Sequence, residues 1–393
     1  VDTVGLYLHI PFCEAKCAYC DFAVVVGRGR RQAEYVGALV REIAGWGRAL
    51  GHPVVPTIYL GGGTPSLLSP DQADAILAAC RAAFDVTPDA EISLEANPSA
   101  ADRATYRALR ETGVTRLSLG IQSFNDAELR FLGRQHTGND GRRAVEAARA
   151  AGFDNLSLDL IYGLPGQELT SWQRSLAAAV TLAPDHLSTY GLTIEPATEL
   201  GRRQRRGLLA PLDPDLAAEM YEAADEALGA AGYERYEIAN FARSGFECQH
   251  NLRYWRNLPF LGLGLAAHGS TVVARFGNRQ RLNAYLAAMS DWDGPCFVSP
   301  GVPAVDGPIA WVEPLDRRTQ LVETVILGLR LTAGLDLTAF VDRFGERAEL
   351  RWATTIAELE ALGLLQTGNG ALRLTRRGRL LGDEVFARFL LEG

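Results

Sequence analysis

The feature that most constrains this chain is an alternation of strand-like and helix-like segments running from its start to about residue 195. Short β-rich runs lie at 4–10, 57–61, 90–95, 115–121, 155–162 and 186–194, with amphipathic helical patterns near 31–50, 70–84, 99–112, 138–151 and 169–182 between them. Strands separated by helix-length connections cannot pair as hairpins, so they pair in parallel with the helices stacked on the sheet. The expected fold class is therefore α/β, a partial (βα)6 TIM-like barrel with six strands rather than eight. A βα barrel carries its chemistry at the C-terminal strand ends. The unusual residues cluster there: Cys13, Cys17 and Cys20 after the first strand, Gly61-Gly62-Gly63-Thr64-Pro65 after the second and Glu95-Ala96-Asn97-Pro98 at the third. Gln122 ends the fourth, Asp159 sits late in the fifth before Gly163-Leu164-Pro165, and Thr193-Ile194-Glu195-Pro196 closes the sixth.

Beyond the barrel pattern come a helix near 214–231, an aromatic stretch from Tyr233 to about Gly269, and a Pro/Gly-rich passage from Gly294 to Pro314 that reads as a linker or long loop. The last eighty residues differ in character: helical patterns near 316–332, 336–344 and 348–362, a hairpin from Gly363 to Thr375 turned at Gly368-Asn369-Gly370, and a short terminal helix. The expected organisation is a barrel with its extension over 1–293, a linker over 294–314, and a small α+β, winged-helix-like C-terminal domain over 315–393. From Leu315 onward 11 arginines face 11 acidic residues, so this wing has no net charge with which to read DNA.

Overall charge points the same way. A net charge of -8 argues against a general nucleic-acid binder, whose affinity for phosphates comes from clustered Lys and Arg. No apolar stretch of about 20 residues is present to span a bilayer, and Val1 to Leu8 lack the basic head and apolar run of a secretory signal. The reading is a cytoplasmic protein, not an integral membrane protein.

Three of the six cysteines fall within Cys13-x3-Cys17-x2-Cys20. Three thiolates on one tight loop suit three corners of a [4Fe-4S] cubane and leave the fourth iron without a protein ligand, open to a chelating molecule. Zinc, with His9 as fourth ligand, is the competing reading of the same soft donors. Cys80 lies among alanines of a helical pattern and reads as a buried thiol; Cys296 stands alone; Cys248 precedes Gln249-His250-Asn251. The consecutive glycines bring backbone within hydrogen-bonding distance of a ligand, since no Cβ intrudes. Beside an open iron, Glu95, Gln122, Arg134 and Asp159 are then candidates for polar contacts to S-adenosylmethionine (SAM).

The cysteine loop, Gly-Gly-Gly-Thr-Pro, Glu-Ala-Asn-Pro, Ile121-Gln122-Ser123-Phe124 and the run Asp159-Leu160-Ile161-Tyr162-Gly163-Leu164-Pro165 resemble the radical-SAM family around oxygen-independent coproporphyrinogen III oxidase, over nearly the whole chain. The resemblance implies that Cys13, Cys17 and Cys20 hold the cluster and that Tyr7, Gly62, Glu95, Gln122, Arg134 and Asp159 lie in or near the SAM pocket, with Tyr19, Gly63 and Thr64 lining the same cavity.

Two features separate the branches of that family. The oxidase continues its cysteine loop to a fourth cysteine, whereas this chain reads Cys20-Asp21-Phe22; and Cys248-Gln249-His250-Asn251-Leu252-Arg253-Tyr254-Trp255 resembles the His-Asn-x-x-Tyr-Trp motif of the HemW-type heme chaperones. That resemblance implies a protein that binds heme and passes it to apo-hemoproteins, membrane-associated cytochromes among them, possessing a SAM-ligated cluster and able to form a homodimer. Chemically, His250 offers an imidazole to heme iron, and Tyr254 and Trp255 offer flat apolar faces to a porphyrin. A core histidine satisfied by Asn251, with two packing aromatics, is the alternative. His268 is a second imidazole candidate, while Met220 and Met289 lie in helical patterns and read as packing residues. The competing function is a radical-SAM enzyme acting on a porphyrinogen.

Overall fold

The computed structural model describes residues 2–27, 31–98, 103–211 and 213–392. The six expected strands are present as Gly5–Ile10, Val54–Gly62, Asp85–Ala96, Arg116–Gln122, Leu156–Tyr162 and His186–Gly191, paired in parallel in that order. Helices Gln32–Leu50, Pro70–Ala83, Arg103–Glu111, Gly138–Ala150 and Leu169–Thr181 connect or flank them. The third helical pattern began at residue 99, and its first four positions lie outside the described residues.

Period-two alternation explains which side chains face which way. Leu6, Leu8 and Ile10, then Ile58 and Leu60, then Leu117, Leu119 and Ile121, pack in one continuous core under the helices. The residues between them, among them Tyr59, Glu95, Ser118 and Asp159, point to the other face and line a cavity inside the curved sheet. Helix starts are fixed locally: Ser69 accepts from the Gln72 amide while the Gln72 side chain returns to the Ser69 amide, with Pro70 at the first helical position.

The sheet goes further than the six-strand expectation. Phe260–Leu263 adds a seventh parallel strand beside Gly5–Ile10, with Leu6 opposite Leu261. Antiparallel strands His268–Ser270, Ala274–Asn278 and Ile309–Pro314 follow it outward, and Asn240–Ala242 with Glu234–Arg235 extend the opposite edge, giving twelve strands. The passage 294–314, expected as a linker or long loop, instead carries three short strands, the last of them registered on Ala274–Asn278. Glycine and proline density hid these strands: Phe297–Ser299 and Val302–Pro303 pair with each other as a small two-stranded sheet, and Ile309–Pro314 gains its stability from Ala274–Asn278 and not from local propensity.

A second core contains Leu321, Val325, Leu329, Phe340, Trp352 and Phe389. Its helices are Arg317–Leu329, Leu337–Phe344, Ala348–Arg351, Ala353–Ala361, Arg376–Leu380 and Gly382–Glu392, so the pattern expected over 348–362 is broken at Trp352 and the terminal helix is preceded by a shorter one. Leu365–Gly368 and Ala371–Leu374 form the expected hairpin, with Leu335–Asp336 pairing on its free side. This unit is fastened to the large sheet. Asn257 Nδ2 donates to Thr324 Oγ1 at 2.9 Å, Arg343 Nη1 donates to the Asn257 carbonyl at 2.8 Å, and the Arg330 guanidinium lies over the Trp255 ring at 4.4 Å. Among the described residues no helix is long and apolar enough to cross a membrane.

Candidate functional site

The cavity has a volume of about 440 Å³. It is lined by Cys13, Cys17, Tyr19 and Cys20 from the first loop, Gly62, Gly63 and Thr64 from the second strand end, and Glu95, Gln122, Arg134 and Asp159 from the strands that follow. Eleven of the expected site residues thus converge on one space. Tyr7 lies just behind it, its hydroxyl 3.1 Å from His9 Nδ1 and its ring stacked on Tyr59.

The cysteine loop is pinned at several points. Phe12–Cys13 pairs with Val25–Val26, Ala18 N donates to the Leu132 carbonyl at 3.0 Å, and Leu200 N donates to the Ala18 carbonyl at 2.9 Å. Ala18 and Tyr19 sit in a small apolar cluster with Leu132, Ile161, Leu164 and Leu192. Thr64 Oγ1 lies 3.5 Å from Cys13 Sγ, and Arg134 Nη1 lies 3.4 Å from Cys17 Sγ. All three cysteines are free, and burial raises the thiol pKa of Cys13 and Cys20, the Thr64 hydroxyl working against it at Cys13.

These thiols fit a cubane better than zinc. Among the described residues no three His, Cys, Asp or Glu groups are set to hold a single ion. A cubane spaces its thiolates around a larger body than one ion. His9, the fourth ligand of the zinc reading, is turned away: its Nε2 is 2.9 Å from the Ala23 carbonyl and its Nδ1 meets Tyr7. Arg134 is no solvated surface charge. Besides Cys17 it binds the Gly120 carbonyl at 2.8 Å and Asn97 Oδ1, which makes it a bracket between two strand ends and the loop.

Glu95 is held from two sides. Tyr59 OH donates to its Oε1 at 2.9 Å and Gly62 N donates to its Oε2 at 3.0 Å. Burial and the neighbouring Asp159 nevertheless push its pKa up to about 7. Asp159 receives the Ser118 hydroxyl at 3.1 Å, and its pKa too is raised by burial, with serine hydrogen bonds opposing. Gln122 has φ 65°, in the left-handed region, at an irregularity where the register with the fifth strand shifts. A non-glycine residue stays there only when its surroundings enforce it, as they do at functional bulges.

Gly62 and Gly63 line the cavity and have a packing role besides. Gly62 has φ +108°, and a Cβ there would come 2.4 Å from His9 Cε1; at Gly63 it would come 2.7 Å from the Phe12 carbonyl oxygen. The space a side chain would take is filled by this chain's own first strand and loop, so the glycines let the second strand end press against the cysteine loop. Ligand access comes from the cavity side.

The His-Asn-x-x-Tyr-Trp segment packs behind the cavity, with Cys248 and Asn251 on its deep wall. Helix Gln249–Trp255 starts on the Glu91 carboxylate, which accepts from the amides of Gln249 at 3.0 Å and His250 at 3.1 Å. His250 is 1 % exposed. Its Nδ1 is 2.9 Å from Thr57 Oγ1 and its Nε2 is 2.9 Å from Tyr254 OH, so neither nitrogen is open to a heme iron. Burial, aided by Arg253, lowers its pKa to about 3. The alternative of a core histidine is therefore what the geometry holds, with Thr57 and Tyr254 rather than Asn251 as its partners. Tyr254 packs edge-on against Phe260 and Trp255 is covered by Arg330, so these rings too are engaged inside the protein. His268 is exposed, its ring edge-on to Trp311 with 5.3 Å between centroids. Cys80, Met220 and Met289 are fully buried in the core, and Cys296 is exposed.

Sequence reasoning missed the cavity's deeper wall: Tyr59, Arg116, Ser118, His186, Ser188 and Asn251. Tyr59 and Ser118 were legible in principle, since each alternates with core positions, and an inward polar residue on a buried strand is a signal. Asn251 reaches the wall only through tertiary placement of its helix.

Comparison with known proteins agrees with this geometry. The profile of the radical SAM superfamily matches residues 7–178, and that of the HemN C-terminal domain matches residues 315–381. The chain is 36% identical over 387 residues to the heme chaperone HemW of Bacillus subtilis (strain 168), covering 98% of this chain and 99% of that one. It is 39% identical over 389 residues to the heme chaperone HemW of Mycobacterium tuberculosis (strain ATCC 25618 / H37Rv), covering 98% and 94%. Among solved structures it superposes on the radical SAM enzyme coproporphyrinogen III oxidase (HemN) of Escherichia coli with a TM-score of 0.82 at 25% identity, covering 98% of this chain and 89% of that one. Shared sequence along almost its full length, the cysteine loop and the cavity together place this chain in the HemW family of radical SAM proteins.

Proposed function

We propose that this protein is a heme chaperone: it binds heme and transfers it to apo-hemoproteins, and it carries a [4Fe-4S] cluster with SAM beside it. The observation that carries the reading is similarity to HemW chaperones over 98% of the chain. Cys13, Cys17 and Cys20 would hold the cluster, and Glu95, Gln122, Arg134 and Asp159 would contact SAM, with Tyr7, Tyr19, Gly62, Gly63 and Thr64 shaping the pocket. When bound, the cluster supplies an electron and an open iron site. The chain's own part is to bind and orient. Arg134 and Thr64 direct hydrogen-bond donors at cysteine sulfurs, which stabilises thiolate character, and Glu95 offers a carboxylate to the amino group of SAM.

Heme ligation by His250 would require its ring to give up Thr57 or Tyr254, whereas His268 is accessible as it stands. The chaperone would work in the cytoplasm, as a monomer or homodimer, delivering to acceptors that include membrane-associated cytochromes. The test titrates heme into anaerobically reconstituted wild type, His250→Ala and His268→Ala, then offers each loaded protein an apo-cytochrome. One heme per chain and transfer to the acceptor support the reading. Absence of heme binding by wild type refutes it.

The radical enzyme remains the second reading, favoured by the superposition on coproporphyrinogen III oxidase. At the position where that family branch continues with cysteine, this chain has Phe22, 63% exposed at the cavity rim. Protoporphyrinogen formed from coproporphyrinogen III under reducing, anaerobic conditions would establish the enzyme instead.

A further inference from the structure

We infer that His250 and the segment around it are a positioning device for the Glu95 carboxylate, and through it for SAM; this rests on the proposed SAM pocket. A chain of contacts leads from the motif to the pocket. Thr57 and Tyr254 fix the His250 ring through its two nitrogens at 2.9 Å each. That ring stacks on Tyr59, with 5.4 Å between centroids and 28° between planes. Tyr59 OH donates to Glu95 Oε1 at 2.9 Å, and the other carboxylate oxygen takes the Gly62 amide. Tyr59 also stacks on Tyr7, with 6.3 Å between centroids and 22° between planes.

The arrangement needs the residues the motif contains. A neutral imidazole donates at one nitrogen and accepts at the other, so it can join two hydroxyls, and its flat face can carry the tyrosine ring. An alanine would leave Thr57 and Tyr254 without their partner and open a void behind Tyr59. The segment's own position is set by Glu91 at the start of its helix, in register with Thr57 on the neighbouring strand. His250 is a positioning residue, since it contacts neither the cavity lining glycines nor Glu95 itself.

The test uses the full chain with its cluster reconstituted anaerobically, and [³H]SAM in equilibrium dialysis. Tyr59→Phe removes only the hydroxyl on Glu95; His250→Gln keeps hydrogen-bonding ability but loses the flat ring. Each should weaken SAM binding about tenfold, as loss of one hydrogen bond to a charged group does. The double variant should fall well short of the product of the singles, because both changes act through one contact. Heme affinity of His250→Gln should stay within about twofold of wild type. Unchanged SAM binding in both single variants overturns the inference while leaving the SAM pocket intact, and so does lost heme binding with SAM binding unchanged. A wild type that binds no SAM removes the pocket and the inference together. Should His250→Gln fail to fold, Tyr59→Phe with cluster content as control decides alone.

Discussion

Binding of SAM should depend on pH through Glu95, with a sign set by the structure. The carboxyl has a pKa of about 7 because it is buried next to Asp159, despite hydrogen bonds from Tyr59 and Gly62 that favour its charged form. A raised carboxyl pKa means the site is protonated on the acid side of 7, and a protonated carboxyl is a poorer acceptor for an amino group. With one proton linked to binding, apparent affinity scales with the ionised fraction, which falls from about nine-tenths at pH 8 to about one-tenth at pH 6. The dissociation constant should therefore rise about tenfold between those values. Binding of SAM would itself pull the pKa down, so the midpoint in titrations run at high SAM should lie below 7. The assay is equilibrium dialysis on cluster-loaded protein from pH 6 to pH 8, with Glu95→Gln beside it. That variant should bind weakly at every pH with a flat profile. A flat profile in wild type, or the same slope in Glu95→Gln, would show that the carboxylate does not contact the amino group.

Three further outcomes follow from the geometry. Replacing Cys13, Cys17 or Cys20 by Ala should abolish the oxygen-sensitive cluster, read as loss of bound iron and sulfide; retention of both, or zinc as the native metal, contradicts the thiol assignment. Gly62→Val should lower stability by about 3 kcal/mol in urea unfolding, since positive φ and the clash with His9 each cost about 1–3 kcal/mol; an unchanged midpoint would mean that the strand end yields freely. Glu42→Ala removes the acceptor of Tyr285 OH at 2.6 Å, Asn278 Nδ2 at 2.6 Å and Gly264 N at 2.8 Å. Asn278 Nδ2 keeps the Gly264 carbonyl at 2.9 Å, but two orphaned buried donors at about 1–3 kcal/mol each should lower stability markedly, measured as a downward shift of the cooperative thermal transition.

Much of the site was legible because it lies on a periodic scaffold. Once 4–10 and 57–61 are strands, the cysteines and glycines after them must meet at one sheet edge, and Glu95 and Asp159 must face inward beside them. What the sequence could not convey is what each group touches. His250 carries the same residue type whether it binds iron or joins two hydroxyls; its burial and its two 2.9 Å contacts are tertiary facts. Gly62 reads as a ligand cradle, and its packing role shows only in the His9 ring 2.4 Å from a would-be Cβ. Ile309–Pro314 was invisible as a strand because its partner, Ala274–Asn278, is itself a late addition to an edge.

The contact between Arg330 and Trp255 gives the small C-terminal unit a mechanical hold on the large one. Trp255 ends the helix that begins at the Glu91 carboxylate, and His250 in that helix backs Tyr59. Through Trp255 the C-terminal unit thus bears on the helix whose His250 backs Tyr59, the residue that donates to the Glu95 carboxylate. Cutting the chain near residue 314 would remove more than a passive appendage: it would unload that helix, and the truncated barrel should hold its cluster while losing its grip on SAM.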